Sequence, residues 1–139
     1  MEPVTALGVA AASAQFVEQS LKIVSLIGEI RDRVKKTPQY IEEHRQTLES
    51  FTLLVKRTME VDSQGFDTPE TKRILNECLA QVEALKKVLE HINFKAQDSL
   101  GRKTWQSIVG MKHEKELRGL FGALERNLPK LIGHGLLDV

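Results

Sequence analysis

The four histidines are the residues with the most potential for metal chemistry. Helical bundles often hold metal ions with Glu-x-x-His pairs, because a carboxylate three residues before an imidazole lies on the same face of the helix. The residues three positions before the histidines are all uncharged: Ile41, Val88, Gly110 and Leu131. Glu43 and Glu90 directly precede histidines, but adjacent side chains on a helix point about 100° apart and do not chelate together. The sequence therefore predicts neither a metal site nor a bound cofactor.

Patterns of nucleophilic and nucleotide chemistry are also missing from the sequence. Cys78, the single cysteine, occupies an apolar helical row, which favours a buried structural thiol over a nucleophile. His113-Glu114 begins like the helix of a zinc protease, but Leu117 occupies the position of the second histidine. There is no G-x-x-x-x-G-K-[ST] loop, no G-x-S-x-G elbow and no G-x-G-x-x-G. We predict that the chain is not an enzyme.

Length and charge narrow the class of protein further. The chain has 139 residues, enough for one domain around a single core. Its 20 basic and 19 acidic residues give a net charge of +1, without the concentrated positive charge that nucleic-acid binding needs. A single cysteine excludes an intramolecular disulfide and fits a reducing compartment. We expect a cytoplasmic protein that does not bind nucleic acid.

Apolar residues recur at spacings of three and four along most of the chain, the period of an amphipathic helix. The clearest segment carries two interleaved heptad rows, Leu75, Val82 and Leu89 with Cys78, Leu85 and Ile92. Short links between such segments favour antiparallel neighbours. The sequence predicts an all-α fold, an up-and-down four-helix bundle, as a single domain over residues 1–139. The alternative is a long antiparallel coiled coil that completes its core by dimerising.

Turn and capping residues mark the ends of the helices. Asp67-Thr68-Pro69-Glu70 is typical of a helix start, with Thr68 as the N-cap. Pro129 lies within the last apolar run and is expected to kink or restart that helix. A short accessory helix is predicted at about 100–111, between the third and the last long helices. The long helices are predicted at about 4–36, 38–61, 69–93 and 113–132.

The first segment differs from an ordinary surface helix, because residues 3–17 carry no charge. Small residues recur every four positions at Ala6, Ala10 and Ala14, a spacing that lets helices approach closely in soluble bundles and in membranes. The Glu18–Lys22 pair and several serines and glutamines make the segment too polar for a permanent membrane anchor. A signal peptide is disfavoured because no basic residue precedes the apolar run.

The two halves of this segment have different patterns. From Ile23 onward the apolar residues form a single stripe, which is typical of a helix packed in a bundle. Before Glu18, apolar and small residues lie all round the helix. If the protein acts on membranes, we expect the first half to do so.

A basic segment precedes the last helix. The segment runs from Ser99 to His113 and contains no acidic residue. It contains Arg102, Lys103 and Lys112 together with Trp105. One interpretation is contact with an anionic lipid surface or an acidic partner. The other is a cationic connector whose tryptophan closes the end of the bundle.

Four stretches, spread between residues 6 and 131, resemble a known family. They are ALGVAAASAQFVEQSLKIVSLIGEI, LESFTLLVKRTM, ILNECLAQVEALKKVLEHI and GRKTWQSIVGMKHEKELRGLFGALERNLPKL. Together they resemble the helical N-terminal domains of fungal NLR-like receptors, which carry a NACHT or NB-ARC ATPase behind that domain. The likeness is greatest to the SesA type, with HeLo-like and HeLo domains as wider relatives. It rests on patterns of residue type and not on catalytic motifs.

The resemblance implies a signalling or cell-death effector domain of an immune or incompatibility receptor. In this family the bundle stays inactive until receptors cluster, and the first helix then leaves the bundle and attacks the plasma membrane. The implied partners are further copies of the chain, other helical signalling domains and anionic membrane lipids, with an NTPase domain in a longer parent chain. The residues implied for membrane contact or oligomerisation are Leu7, Gly8, Ala11, Ala14, Phe16, Val17, Leu21 and Val24.

Two other functions stay open at this point. One is an adaptor that oligomerises through helix–helix contacts and never touches lipid. The other is a coiled-coil trafficking bundle of the SNARE type, which only the heptads suggest. The SNARE interpretation ranks last because the sequence shows no lipid anchor or transmembrane tail of the kind such proteins use.

Overall fold

The computed structural model describes residues 8–61, 68–97 and 103–133. These residues form four α-helices: α1 (Val9–Arg33), α2 (Gln39–Val61), α3 (Pro69–Gln97) and α4 (Trp105–Gly133). They also form two strands of two residues each, β1 (Val34–Lys35) and β2 (Lys103–Thr104). The predicted all-α helical bundle is confirmed.

The third helix begins as its capping residues predict. The hydroxyl of Thr68 accepts a hydrogen bond from the backbone N–H of Thr71 at 3.1 Å, which satisfies one of the free donors of the first turn. Pro69 occupies the first helical position, where its missing N–H has no consequence. The helix continues to Gln97, four residues beyond the predicted end at 93.

The first helix ends earlier than predicted. It stops at Arg33 and not at residue 36, because Val34 and Lys35 adopt extended backbone and pair with β2. The two strands are parallel, with Val34 opposite Lys103 and Lys35 opposite Thr104. Two residues are too short a run for a period-two signal, so the sequence did not reveal this pair. The pairing fixes the end of α1 beside the start of α4.

The last helix contains a break at Gly110. Its backbone (φ 75°, ψ 167°) is outside the helical region and in a range that glycine adopts without steric cost. The break divides α4 into a short segment, residues 105–109, and a long segment that follows Gly110. The short segment lies in the region of the predicted accessory helix, and the long one in the region of the predicted last helix. The helix does not restart at Pro129, since helical backbone continues to Gly133.

The helices are arranged around the bundle in the order α2, α1, α3, α4. The main packing partners of α1 are α3 and α2, and α3 also packs along α4. Arg33, the last residue of α1, donates a hydrogen bond to Asn93 near the end of α3 at 2.7 Å. The carboxyl ends of α1 and α3 therefore meet, and these two helices run parallel. Within the described residues, α2 and α3 are successive but not principal neighbours.

The core contains the heptad rows that the sequence identifies. All six residues of the two rows in α3 are fully buried. From α4 the largest contributions are Trp105 and Phe121, and from α2 they are Ile41 and Leu48. Burial of each such side chain stabilises the fold by about 1.5–3 kcal/mol.

We expect Cys78 to react with a thiol reagent only when the bundle unfolds globally. Burial raises the pKa of this thiol to about 12, so native protein near neutral pH contains almost no thiolate. In increasing urea, the rate of labelling by a disulfide reagent should follow the loss of helical circular dichroism. As a control, Ser50→Cys in a Cys78→Ala background places a thiol at an exposed position of α2 and should label at once. Rapid labelling of Cys78 in native protein would contradict this expectation.

Candidate functional site

One face of α1 is left partly uncovered by the rest of the bundle. It consists of uncharged residues at alternating spacings of four and three, which we call the outer stripe: Ala10, Ala14, Val17, Leu21, Val24 and Gly28. Leu21 is 40% exposed, and Val17 and Val24 are half-buried. The heptad spacing keeps these residues in line along the helix, as in the seam of a coiled coil.

The buried face of α1 is continuous along the whole helix. Val9, Ala12 and Phe16 continue the same line as Ile23 and Ile27, and all five are at most 2% exposed. The sequence pattern, with apolar and small residues all round the first half of the helix, did not reveal this buried face. Small residues occupy both faces of the helix before Glu18, so residue type alone did not distinguish the buried Ala12 from the exposed Ala10 and Ala14.

The structure separates the eight residues that the resemblance singles out on this helix. Ala14, Val17, Leu21 and Val24 lie together on the outer stripe. Phe16 is completely buried in the core. Three of the residues lie elsewhere: Gly8 is the exposed N-cap of α1, Ala11 is exposed beside the stripe, and Leu7 is outside the described residues.

A groove runs between the outer stripe and the last turns of α2. It has a volume of about 320 Å³ and is lined by Ser13, Ala14, Val17, Lys56, Met59 and Glu60. On α2, Leu53 lies one turn before Lys56 and is 54% exposed. Exposed apolar surface is therefore also present on α2 beside the groove.

Charged residues flank this apolar surface on both helices. Lys22 and Glu18 form an exposed ion pair at 3.6 Å beside the stripe on α1. Lys56 and Glu60 flank the groove on α2. The surface therefore has an apolar centre and a rim with both signs of charge, the usual composition of a protein–protein interface.

Two hydroxyl groups on the inner side of α1 have no hydrogen-bond partner. Ser13 and Ser20 are both fully buried, and neither Oγ atom forms a hydrogen bond with the described part of the chain. A buried polar group without a partner costs about 1–3 kcal/mol. These serines therefore weaken the attachment of α1 to the bundle.

Polar contacts hold the carboxyl end of α1 in place. Arg31 donates to Glu42 of α2 at 2.5 Å, and Arg45 donates to the same carboxylate through its Nε at 2.8 Å. On the other side, Asn93 of α3 accepts from Arg33 and donates to Glu29 at 3.2 Å. These polar contacts join the carboxyl end of α1 to both of its neighbours. Within the described residues, the first turns of α1 are held by apolar packing.

The described residues of the predicted basic segment have different environments. Trp105 is only 2% exposed, and its indole N–H donates to Glu114 at 2.8 Å, so it closes the end of the core. Lys112 is exposed on the first turn after Gly110. Arg102 lies outside the described residues, and the backbone of Lys103 pairs with β1. This pairing brings Lys35 to the same end of the bundle, which the sequence did not indicate.

A cluster of aromatic and charged side chains closes the bundle between α2 and α4. The ring of His44 stacks on Phe121 at 4.4 Å, and its Nδ1 lies 2.5 Å from the carboxylate of Glu125. The Arg118 guanidinium lies 4.0 Å above the ring of Tyr40. Side chains, and not close backbone approach, therefore join these two helices.

Among the described residues, no helix combines the length and the apolar character needed to cross a membrane. Comparison with protein-family models, with curated proteins and with solved structures gave no match. The resemblance to SesA-type domains therefore rests on the residue patterns alone.

We expect Glu42 to make the bundle sensitive to acid. The hydrogen bonds from Arg45 lower the pKa of this carboxyl from 4.5 to about 2. Because the folded pKa is the lower one, the stabilisation is complete above the unfolded pKa and is lost as the pH falls towards 2. In urea unfolding, wild type should lose more stability than Glu42→Gln between about pH 5 and pH 2.

Glu43→Gln is the matched control, since Glu43 is the exposed neighbour of Glu42 on the same helix. It should keep the pH dependence of the wild type. If the free energy of unfolding depends on pH in the same way for wild type and Glu42→Gln, the contacts of Glu42 do not stabilise the fold.

Proposed function

We propose that this chain is a helical signalling domain that acts by self-association through the outer stripe of α1. The observation that carries the proposal is an uncharged stripe at heptad spacing on the uncovered face of a helix that is otherwise packed. Leu21 is 40% exposed there, and Leu53, one turn from the groove residue Lys56 on α2, is 54% exposed. A second copy would cover these side chains without any change in the core.

The residue sizes along the stripe suit close helix–helix contact. Ala10, Ala14 and Gly28 allow the backbones to approach, while Val17, Leu21 and Val24 supply apolar area between them. The flanking Glu18 and Lys22 supply both charges for a polar rim. The proposal needs no lipid and no unfolding of α1.

The sequence resemblance supports a more specific form of the proposal. In that form the domain is the effector of a fungal NLR-like immune or incompatibility receptor in the cytoplasm. An NTPase domain in a longer parent chain brings copies together, and the outer stripes then contact one another. Clustering raises the local concentration, so even a weak contact between stripes is enough to assemble the domains.

We expect Leu21→Glu to abolish self-association of the domain. A carboxylate at the centre of the stripe would lose its hydration in the contact without gaining a partner. Analytical ultracentrifugation of wild type over increasing concentration should show oligomers, and the variant should stay monomeric. Gln15→Glu is the matched control, because it places the same charge on the exposed side of α1 away from the stripe. A wild type that remains monomeric at high concentration would overturn the proposal.

A second candidate function, membrane attack by α1, is favoured by the two unsatisfied serines. Ser13 and Ser20 reduce the free energy that holds α1 in the bundle, so less is needed to release it. A released α1 would present both of its apolar faces to a lipid surface. The exposed Lys35, beside the β1–β2 pair, and the exposed Lys112 would contact anionic headgroups.

We expect Arg33→Ala to increase leakage of vesicles that contain phosphatidylserine, if α1 acts on membranes. The substitution removes the contact between the end of α1 and Asn93 and so favours release of the helix. Arg57→Ala, at an exposed position of α2, is the control for loss of one positive charge. Dye release from vesicles with and without phosphatidylserine measures the effect. Equal and negligible leakage from all three proteins would exclude this second function and leave self-association unaffected.

A further inference from the structure

Two histidines from different helices meet at the surface of the bundle. His91 of α3 and His113 of α4 have ring centres 5.2 Å apart, with the ring planes at 63° to each other. His91 is exposed and His113 is partly exposed, so solvent and ions reach both rings. They are 22 positions apart in sequence and lie on different helices, so no ligand spacing within a single helix indicates the pair.

A carboxylate orients one of the two rings. Nδ1 of His113 lies 3.2 Å from Oε1 of Glu116, one turn further along α4. In this arrangement Nδ1 carries the hydrogen and donates it to the carboxylate, which leaves the lone pair of Nε2 free. Metal-binding histidines commonly have such a carboxylate partner, which fixes the tautomer and raises the basicity of the ligand nitrogen.

The separation of the rings matches that of two imidazoles on one metal ion. Zinc lies about 2.0–2.1 Å from an imidazole nitrogen in a tetrahedral site. Each ring centre then lies roughly 3 Å from the metal, so two rings at the tetrahedral angle have centres about 5 Å apart. The observed separation of 5.2 Å is close to this value.

We propose that His91 and His113 form a binding site for a divalent transition-metal ion of the zinc, nickel or copper class, with Glu116 orienting His113. Among the described residues no third His, Cys, Asp or Glu completes the set, so water occupies the remaining positions. The site is therefore open and exchangeable, unlike a closed structural zinc site.

The ligand groups on this surface favour one class of metal. Lys87 and Lys95 lie one turn before and one turn after His91, and the carboxylate of Glu116 already accepts from His113. Magnesium and calcium prefer several oxygen ligands, which this surface does not offer. Neutral imidazoles suit zinc, nickel and copper.

Isothermal titration of the intact chain with zinc chloride tests the site. Wild type should bind one zinc ion per chain, and its melting temperature should rise with zinc concentration, because the ion links α3 to α4 in the folded state only. His91→Ala and His113→Ala should each abolish this binding. Glu116→Gln should weaken it by about 10-fold to 100-fold.

Glu90→Gln is the matched control, since it removes a carboxylate beside His91 that points to another side of the helix. It should bind zinc as wild type does. NMR of the histidine rings in wild type should show zinc-dependent shifts at His91 and His113, a readout that does not depend on the folding of any variant. Binding that survives both histidine substitutions, or ring signals that do not move, would overturn the proposal and leave the two rings as an aromatic pair.

Discussion

The bundle depends on the burial of one face of α1 between α2 and α3. Phe16, Ile23, Ile27 and Ile30 lie on this face and are at most 1% exposed. Each stabilises the fold by about 1.5–3 kcal/mol, and α1 as a whole packs on both α2 and α3. Loss of α1 would therefore uncover the cores of both neighbours, and the polar contacts at its end only fix its position.

The same helix carries a second apolar line about a third of a turn away from the buried one. A partner that covers this outer stripe does not compete with the core, so association and folding are independent on that side. Membrane attack is different, because it uses the buried face and must first break the packing of Phe16 and Ile23. This difference separates the two candidate functions in physical terms.

The sequence predicts the helices and most of the core because large apolar residues mark the buried face unambiguously. Leu75, Val82 and Leu89 are examples, and all three are buried as expected. In the first half of α1, alanine and serine fit equally well inside and outside, so the pattern was ambiguous. The early end of α1 and the meeting of His91 with His113 depend on contacts between distant segments. The spacing of residues within a single segment does not indicate such contacts.

The parallel packing of α1 on α3 also affects the order in which the chain can fold. The contact of Arg33 with Asn93 joins residues 60 positions apart, whereas α1 and α2 are joined by a short turn. During synthesis, α1 and α2 leave the ribosome before α3, so they are available to pair first. The face of α1 that α3 will cover is exposed throughout that interval. The newly made chain therefore presents its most apolar helix to chaperones, membranes and other chains before the bundle closes.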